Sequence, residues 1–191
     1  MFIRSERLFL RPGWPEDWAE LMTRIGDEAV GRQLSRSHWP YTPAAAREYL
    51  KPPGETGGDP RCPQFLVTLP TCEGSQLIGC AGLAPSADGV ELGFWVARER
   101  WGQGYATEAA RAVLSLARTL GHRRIVASHF ADNAASGNVL RKVGFSPTGE
   151  TRLRFCPARG AELPALTYAL ALDEACDGDD GVRGAFLNAL R

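Results

Sequence analysis

Five residues, Gly102-Gln103-Gly104-Tyr105-Ala106, stand between a strand-like run, Val90 to Val96, and a long stretch of helical periodicity. Small residues let a ligand approach the backbone, and the first amides of a helix have no intrahelical acceptors. With the positive end of the helix dipole, those amides make an anion site suited to a pyrophosphate. Alone, the same pattern reads as a tight turn with no ligand. Thr107 follows Ala106, so the third glycine of a GxGxxG pattern is missing, and no Gly-Lys-Ser/Thr occurs anywhere. These absences disfavour a nicotinamide enzyme and a nucleoside triphosphatase.

Several titratable residues flank this turn. In strict strand alternation Glu91, Gly93 and Trp95 share one face, and Leu92, Phe94 and Val96 the other. Glu91 is therefore a carboxylate, a general acid–base type, on the face it shares with Trp95. The competing reading is a solvated strand glutamate or an ion-pair partner. His129 alternates with Ile125 and Ala127. It is a general-base type, although a strand histidine with satisfied nitrogens is the commoner case. His38 and His122 sit in loops. Asn133 reads as a helix cap, and Glu108 as a first-turn charge favoured by the helix dipole.

The elements that must position these residues follow from the pattern. Ile3 to Arg11 reads as one opening strand, with Leu8 and Leu10 on one side, ending at Pro12. Pro15-Glu16-Asp17 opens a helix carrying Trp18, Leu21, Met22 and Ile25, and a second piece runs from Asp27 to Leu34. Thr42 caps a helix over Ala44 to Leu50, and Pro52 to Pro63 is a loop. Gln64 to Leu69, Gln76 to Leu83 and Val90 to Val96 form an antiparallel meander. Ala106, Ala110, Val113, Leu114, Ala117 and Leu120 make the stripe of the long helix, which Gly121 ends. A strand over Arg124 to Phe130, a helix from Asn133 to Val143, and strands over Thr148 to Phe155 and Leu163 to Leu172 follow. This order indicates one α+β sheet domain over 1–172, with a loose C-terminal tail over 173–191.

The chain of 191 residues carries 22 basic and 22 acidic side chains. Without a basic field, nucleic acid is not an expected partner. Five cysteines, an odd number at irregular spacing and without CxxC, argue against a disulfide framework and a zinc site. Free thiols fit a reducing cytoplasm. The N-terminus does not read as a signal peptide, and no apolar run reaches the ~20 residues of a membrane span. Base rates for soluble oligomers put a homodimer first.

Val90-Glu91-Leu92-Gly93-Phe94-Trp95-Val96, followed by Trp101-Gly102-Gln103-Gly104-Tyr105-Ala106-Thr107-Glu108-Ala109, resembles the GNAT superfamily of acetyl-CoA-dependent N-acetyltransferases. The match is to its Rim type, which acetylates ribosomal-protein N-termini. The opening Ser5 to Pro12, the loop Trp39-Pro40-Tyr41-Thr42, Asn133-Ala134-Ala135-Ser136 and Val139 to Phe145 resemble that family in the same order. Trp101 stands where the wider superfamily favours Arg or Gln, as is usual in the Rim type.

The resemblance implies a mixed, mostly antiparallel seven-stranded sheet flanked by helices. Its parallel strands four and five, Val90 to Val96 and Arg124 to Phe130, splay apart to admit the pantetheine arm of acetyl-CoA. Phe94, Trp95, Val96, Trp101, Gly102, Gln103, Gly104, Tyr105, Ala106, Thr107, Asn133, Ser136 and Asn138 would then contact the cosubstrate. Trp39, Tyr41, Glu91 and His129 would face the amine acceptor. Glu91 would act as base and Ser136 would support the departing thiolate. Leu140 occupies the place of a tyrosine that related enzymes use as acid. No metal is implied. The acceptor is a primary amine, such as a protein N-terminus. The rival readings are an acyltransferase for a small amine or amino acid, and a non-catalytic acyl-CoA-binding module.

Overall fold

The structure is a computed structural model that describes residues 1–51 and 58–172. The expected tail over 173–191 and the first part of the loop expected over 52–63 lie outside the described residues. Strand β1 (Ile3–Arg4) and strand β2 (Phe9–Arg11) open the chain. Helices α1 (Trp18–Ile25), α2 (Glu28–Gly31) and α3 (Pro43–Tyr49) follow. Then come β3 (Gln64–Thr71), β4 (Gly74–Ser86), β5 (Gly89–Val96) and the long helix α4 (Tyr105–Thr119). β6 (Arg124–Phe130), α5 (Ala134–Lys142), β7 (Ser146–Cys156) and β8 (Ala161–Ala171) complete the described chain.

The strands form one mixed sheet in the order β1-β2-β3-β4-β5-β6-β8-β7. It has eight strands rather than the expected seven, because the single opening strand is a hairpin. Ile3 pairs with Leu10 and Arg4 with Phe9. The intervening turn closes through Ser5, whose amide donates to the Leu8 carbonyl at 3.0 Å and whose hydroxyl accepts from Leu8 N at 3.2 Å. Pro15–Asp17 is a 3₁₀ turn leading into α1. α2 is shorter than expected; past Gly31 the bonds are of the i→i+3 kind, from Gln33 N to Val30 O and from Leu34 N to Gly31 O. Thr42 caps α3 as expected, its hydroxyl accepting from Ala45 N at 3.2 Å.

Two apolar layers hold the sheet. Tyr105, Ala109, Ala110, Val113, Leu114 and Ala117 of α4 pack with Leu8, Leu10, Phe65, Val67 and Leu83 on one face. Leu21, Ala46 and Leu50 pack with Leu66, Leu77 and Cys80 on the other. Side-chain alternation along β4 slips once, where Val67 pairs with Gly79 and Thr68 with Leu77. A Cβ at Gly79 would lie 2.2 Å from the Trp95 carbonyl, so this bulge requires glycine. Among the described residues no helix is long and apolar enough to cross a membrane.

β5 and β6 are the parallel pair, and their pairing is brief. Val90 lies opposite Ile125 and Glu91 opposite Val126, and there it stops. Beyond those rungs β5 continues to Val96 and β6 to Phe130, with no strand between them. The sheet thus contains a wedge-shaped gap edged by backbone groups free of strand partners.

Candidate active site

The gap opens onto a cavity of about 490 Å³ that reaches across the sheet. Glu91, Leu92, Phe94 and Trp95 of β5, Ser128 and His129 of β6, Ser136 of α5 and Tyr41 before α3 line it. The structure therefore brings together Glu91, Ser136, Tyr41, His129, Phe94 and Trp95 from the sequence analysis. Trp39 does not line the cavity; it packs on Gly31, where a Cβ would come within 2.4 Å of its ring. Val96 is buried in the core. A second, more open hollow of about 520 Å³ lies between β1 and the outer face of α4, and no residue of the gap lines it.

Glu91 is 7% exposed and fully engaged. Arg36 Nη2 lies 2.6 Å from its Oε2, Arg154 Nη1 3.0 Å from its Oε1, and the Ser128 hydroxyl donates to Oε1 at 2.9 Å. Three partners from three distant segments thus share one carboxylate. Sequence reading missed all of them, because none is near Glu91 in the chain.

After β5 a 3₁₀ turn over Arg98–Arg100 leads to the loop 101–104, which turns into α4; none of residues 101–107 lines the cavity. Gly102 and Gly104 adopt φ of +74° and +83°, in the left-handed region that favours glycine. Gly104 is the N-cap and offers no side chain, so the first amides of α4 have no cap of their own. Side chains around the loop pin it instead. Trp101 Nε1 donates to the Val96 carbonyl at 2.7 Å, and Gln103 Nε2 to the Glu99 carbonyl at 3.1 Å. Arg7 Nη1 donates to the Gln103 carbonyl at 3.1 Å, and its guanidinium lies 4.5 Å from the centre of the Tyr105 ring. Tyr105 points into the core, so this residue offers a ligand its backbone alone. Ala106 and Thr107 are half-buried in the first turn.

Glu108 does more than complement the dipole. Its Oε1 accepts from the Ser5 hydroxyl and the Arg7 amide, both at 2.7 Å, and its Oε2 from Arg7 Nε at 2.8 Å. Burial pushes its carboxyl up, but the bonds from Arg7 and Ser5 outweigh this and hold it below the ordinary range.

At the start of α5, Asn133 Oδ1 accepts from Ser136 N at 3.1 Å, which makes it the helix cap. Asn138 is exposed, outside the cavity, and accepts from Arg141 Nη2 at 2.6 Å. His129 has both nitrogens occupied. Nδ1 lies 2.8 Å from the Phe130 carbonyl, which can only accept, so Nδ1 carries hydrogen. Nε2 lies 3.3 Å from the Tyr168 hydroxyl. Gly137 makes room for this arrangement, since a Cβ there would lie 2.6 Å from His129 Nε2. Leu140 is buried in the core.

Toward α3 the cavity holds three groups that burial keeps protonated. Burial pushes the Cys80 thiol up to about 12, with the Tyr49 hydroxyl as its hydrogen-bond partner. Burial likewise holds the Tyr41 phenol well above its usual range, with a smaller push from Cys80. Tyr49 follows the same pattern: part of its ring is exposed, but its hydroxyl end is desolvated against Cys80.

A parallel strand pair that separates beside a glycine-bearing helix start is the geometry expected of one enzyme class, and comparison with known proteins agrees. The family model described as the acetyltransferase (GNAT) domain matches residues 7–146, and the chain belongs to that family. The uncharacterized N-acetyltransferase YoaA of Bacillus subtilis (strain 168) is 38% identical over 81 residues, which cover 40% of this chain and 46% of that protein. The chain thus matches about half the length of this curated relative. Among solved structures, the ribosomal-protein-S5-alanine acetyltransferase of Vibrio fischeri superposes with a TM-score of 0.76 at 18% identity, over 91% of this chain and 98% of that one. RimL, a ribosomal L7/L12 α-N-protein acetyltransferase in complex with coenzyme A, gives 0.74 at 20% identity, over 91% and 99%. At such identities these two structures show the shared fold.

Proposed function

We propose that this protein transfers the acetyl group of acetyl-CoA to a primary amine by direct attack, with both substrates bound together. The observation that carries this is the gap past Glu91 on a strand that the chain follows, after one 3₁₀ turn, with the φ-positive turn 102–104 and the uncapped start of α4. The unpaired edge of β5 can hydrogen-bond an amide-bearing arm, and the free amides of 103–107 suit a pyrophosphate. Holding the two reactants side by side supplies much of the acceleration.

Glu91 receives the proton that the ammonium loses, directly or through water. The amine nitrogen then bonds to the carbonyl carbon, the carbon–sulfur bond breaks, and the second proton lost by the nitrogen goes to the departing thiolate. Backbone N–H groups near Phe94 to Val96 donate to the carbonyl oxygen as it gains charge. Ser136 is the hydroxyl of α5 at the cavity and supports the departing thiolate. Cys80, protonated at neutral pH, is unsuited to carry the acetyl group, which favours direct transfer over an acyl-enzyme. A protein N-terminus is one acceptor of the right chemistry, and the ribosomal acetyltransferases with this fold support that reading.

Two variants separate binding from chemistry. Gly104→Val cannot hold φ of +83° without strain, so the amides it positions move. Calorimetry should show CoA affinity lowered by at least about tenfold, roughly one lost charged hydrogen bond. Ser136→Ala should slow single-turnover thiol release by about 10–150-fold, the worth of a hydroxyl bond to developing charge, and lower CoA affinity by less than that. Unchanged CoA binding in a folded Gly104→Val protein would remove the proposed site. A wild-type single turnover would return Ser136 to a purely structural place.

A further inference from the structure

The cavity wall around Glu91 carries more positive than negative charge. Arg36 and Arg154 both lean on the single buried carboxylate, and Ser128 adds only a neutral hydroxyl. Glu48, the other acidic residue of the lining, is engaged by Lys51 at 2.6 Å. A guanidinium has five N–H donors. Among the described residues the Arg36 side chain reaches, beyond Glu91, only the Pro85 carbonyl at 3.4 Å, and the Arg154 guanidinium bonds to Glu91 alone. The Arg36 side chain is 50% exposed and that of Arg154 22%. Most of their donors are thus unspent at the mouth of an amine-acetylating cavity. A bare cation such as a polyamine would meet two guanidiniums there.

We propose that the acceptor is an amine that also carries a carboxylate, and that Arg36, with Arg154 behind it, holds this carboxylate beside Glu91. The proposal rests on the acetyl-transfer reading of the same site. A carboxylate matches the planar fork of a guanidinium in bidentate fashion, whereas an amide or a hydroxyl does not. The exchange also solves a problem at Glu91. Its Oε2 is occupied by Arg36 at 2.6 Å and has little room for an ammonium hydrogen. When the half-exposed Arg36 turns to the substrate's carboxylate, that oxygen keeps only its longer contact with Arg154 Nη1 at 3.2 Å and gains a free lone pair for the substrate's amine. One binding event thus anchors the acceptor and uncovers the base. Two kinds of molecule offer this chemistry: a free amino acid, through its own α-carboxylate, and a peptide with an acidic residue near its N-terminus.

The test uses matched pairs: free amino acids against their α-carboxamides, and C-terminally amidated tetrapeptides with Glu or Asp against Gln or Asn at the second position. Thiol release from acetyl-CoA is followed for each with the full-length protein. The carboxylate member should be preferred in kcat/KM by about 10–150-fold, the range for a hydrogen bond to a charged group. The pair that shows the preference identifies the source. Arg36→Gln should bring the ratio toward one, mainly through KM for the acceptor, while KM for acetyl-CoA stays put; Arg36→Lys should restore part of it. Equal use of amide and carboxylate members, or a preference unchanged in Arg36→Gln, overturns the proposal. If CoA binds but no acceptor releases thiol, acetyl transfer to amines fails separately. The same carboxylates are then titrated calorimetrically into the CoA complex, and absence of binding that depends on Arg36 overturns this proposal on its own.

Discussion

A carboxylate bonded to two guanidiniums and a hydroxyl has few lone pairs left for an ammonium. Removing the charge of Glu91 should therefore show in two readouts. Glu91→Gln is expected to lower turnover by about 10²-fold, with partial recovery at higher pH as more of the free amine is deprotonated. It should also cost roughly 1–3 kcal/mol in chemical denaturation, less than a fully buried pair, because Arg36 is half exposed. A stability loss with wild-type turnover across the pH range would make Glu91 a tether for the arginines and nothing more. Alternation along β5 set Glu91 and Trp95 on one face, and the resemblance singled out Glu91 as the candidate base. Its partners were not legible, since Arg36 and Arg154 lie 55 and 63 residues away and only folding brings them together. His129 shows the opposite case, a residue of reactive type whose hydrogen bonds to Phe130 and Tyr168 occupy both nitrogens.

The turn 101–104 is held from outside its own segment. Arg7 joins Glu108 to the Gln103 carbonyl, so the opening hairpin buttresses the start of α4. Arg7→Ala should weaken CoA binding several-fold while the fold persists, because the amides lose their support but not their identity. Calorimetry with CoA and a far-ultraviolet spectrum check this, and unaltered affinity would make the bridge irrelevant to the ligand. The same bridge explains why the hairpin escaped sequence reading. Ser5-Glu6-Arg7 contains no glycine, proline or asparagine to announce a turn, and much of what closes it comes from Glu108, about a hundred residues further on. Elements that carry their own signals were read nearly to the residue. β6 matches its expected bounds, and the Thr42 and Asn133 caps act as their residue types dictate.

At the scale of the whole molecule, acid should reveal which ion pairs matter. Arg11 grips Asp17 with two bonds of 2.7 Å, and the pair joins β2 to the turn before α1. Burial pushes the Asp17 carboxyl up, but the bonds from Arg11 and the Trp14 amide outweigh it and hold the group below its ordinary 3.8. A depressed carboxyl stabilises the fold fully above its unfolded value and loses that contribution as pH falls through the folded value. Asp17→Asn should accordingly melt below the wild type at pH 7, and the difference should shrink as pH drops below 3.8 toward 2. A difference in Tm that stays constant with pH would point to packing instead of charge. The order of elements and the single-sheet architecture were legible from periodicity and from the resemblance together. The face switch along β4 was not, because a bulge depends on the partner strand and leaves only Gly79 as its local trace.

The brief pairing of β5 with β6 has a mechanical meaning. Five strands on one side and three on the other are laced together by two rungs, at Val90–Ile125 and Glu91–Val126, helped by the apolar packing beneath. A ligand arm lying along that seam would replace the missing rungs and act as a splint. Catalytic readiness and structural cohesion would then be set by the same event. At a hundred times its dissociation constant such a ligand adds about 2.7 kcal/mol to the folded state. The tear in the sheet would then be closed by backbone-like groups of the substrate in place of a strand of the protein.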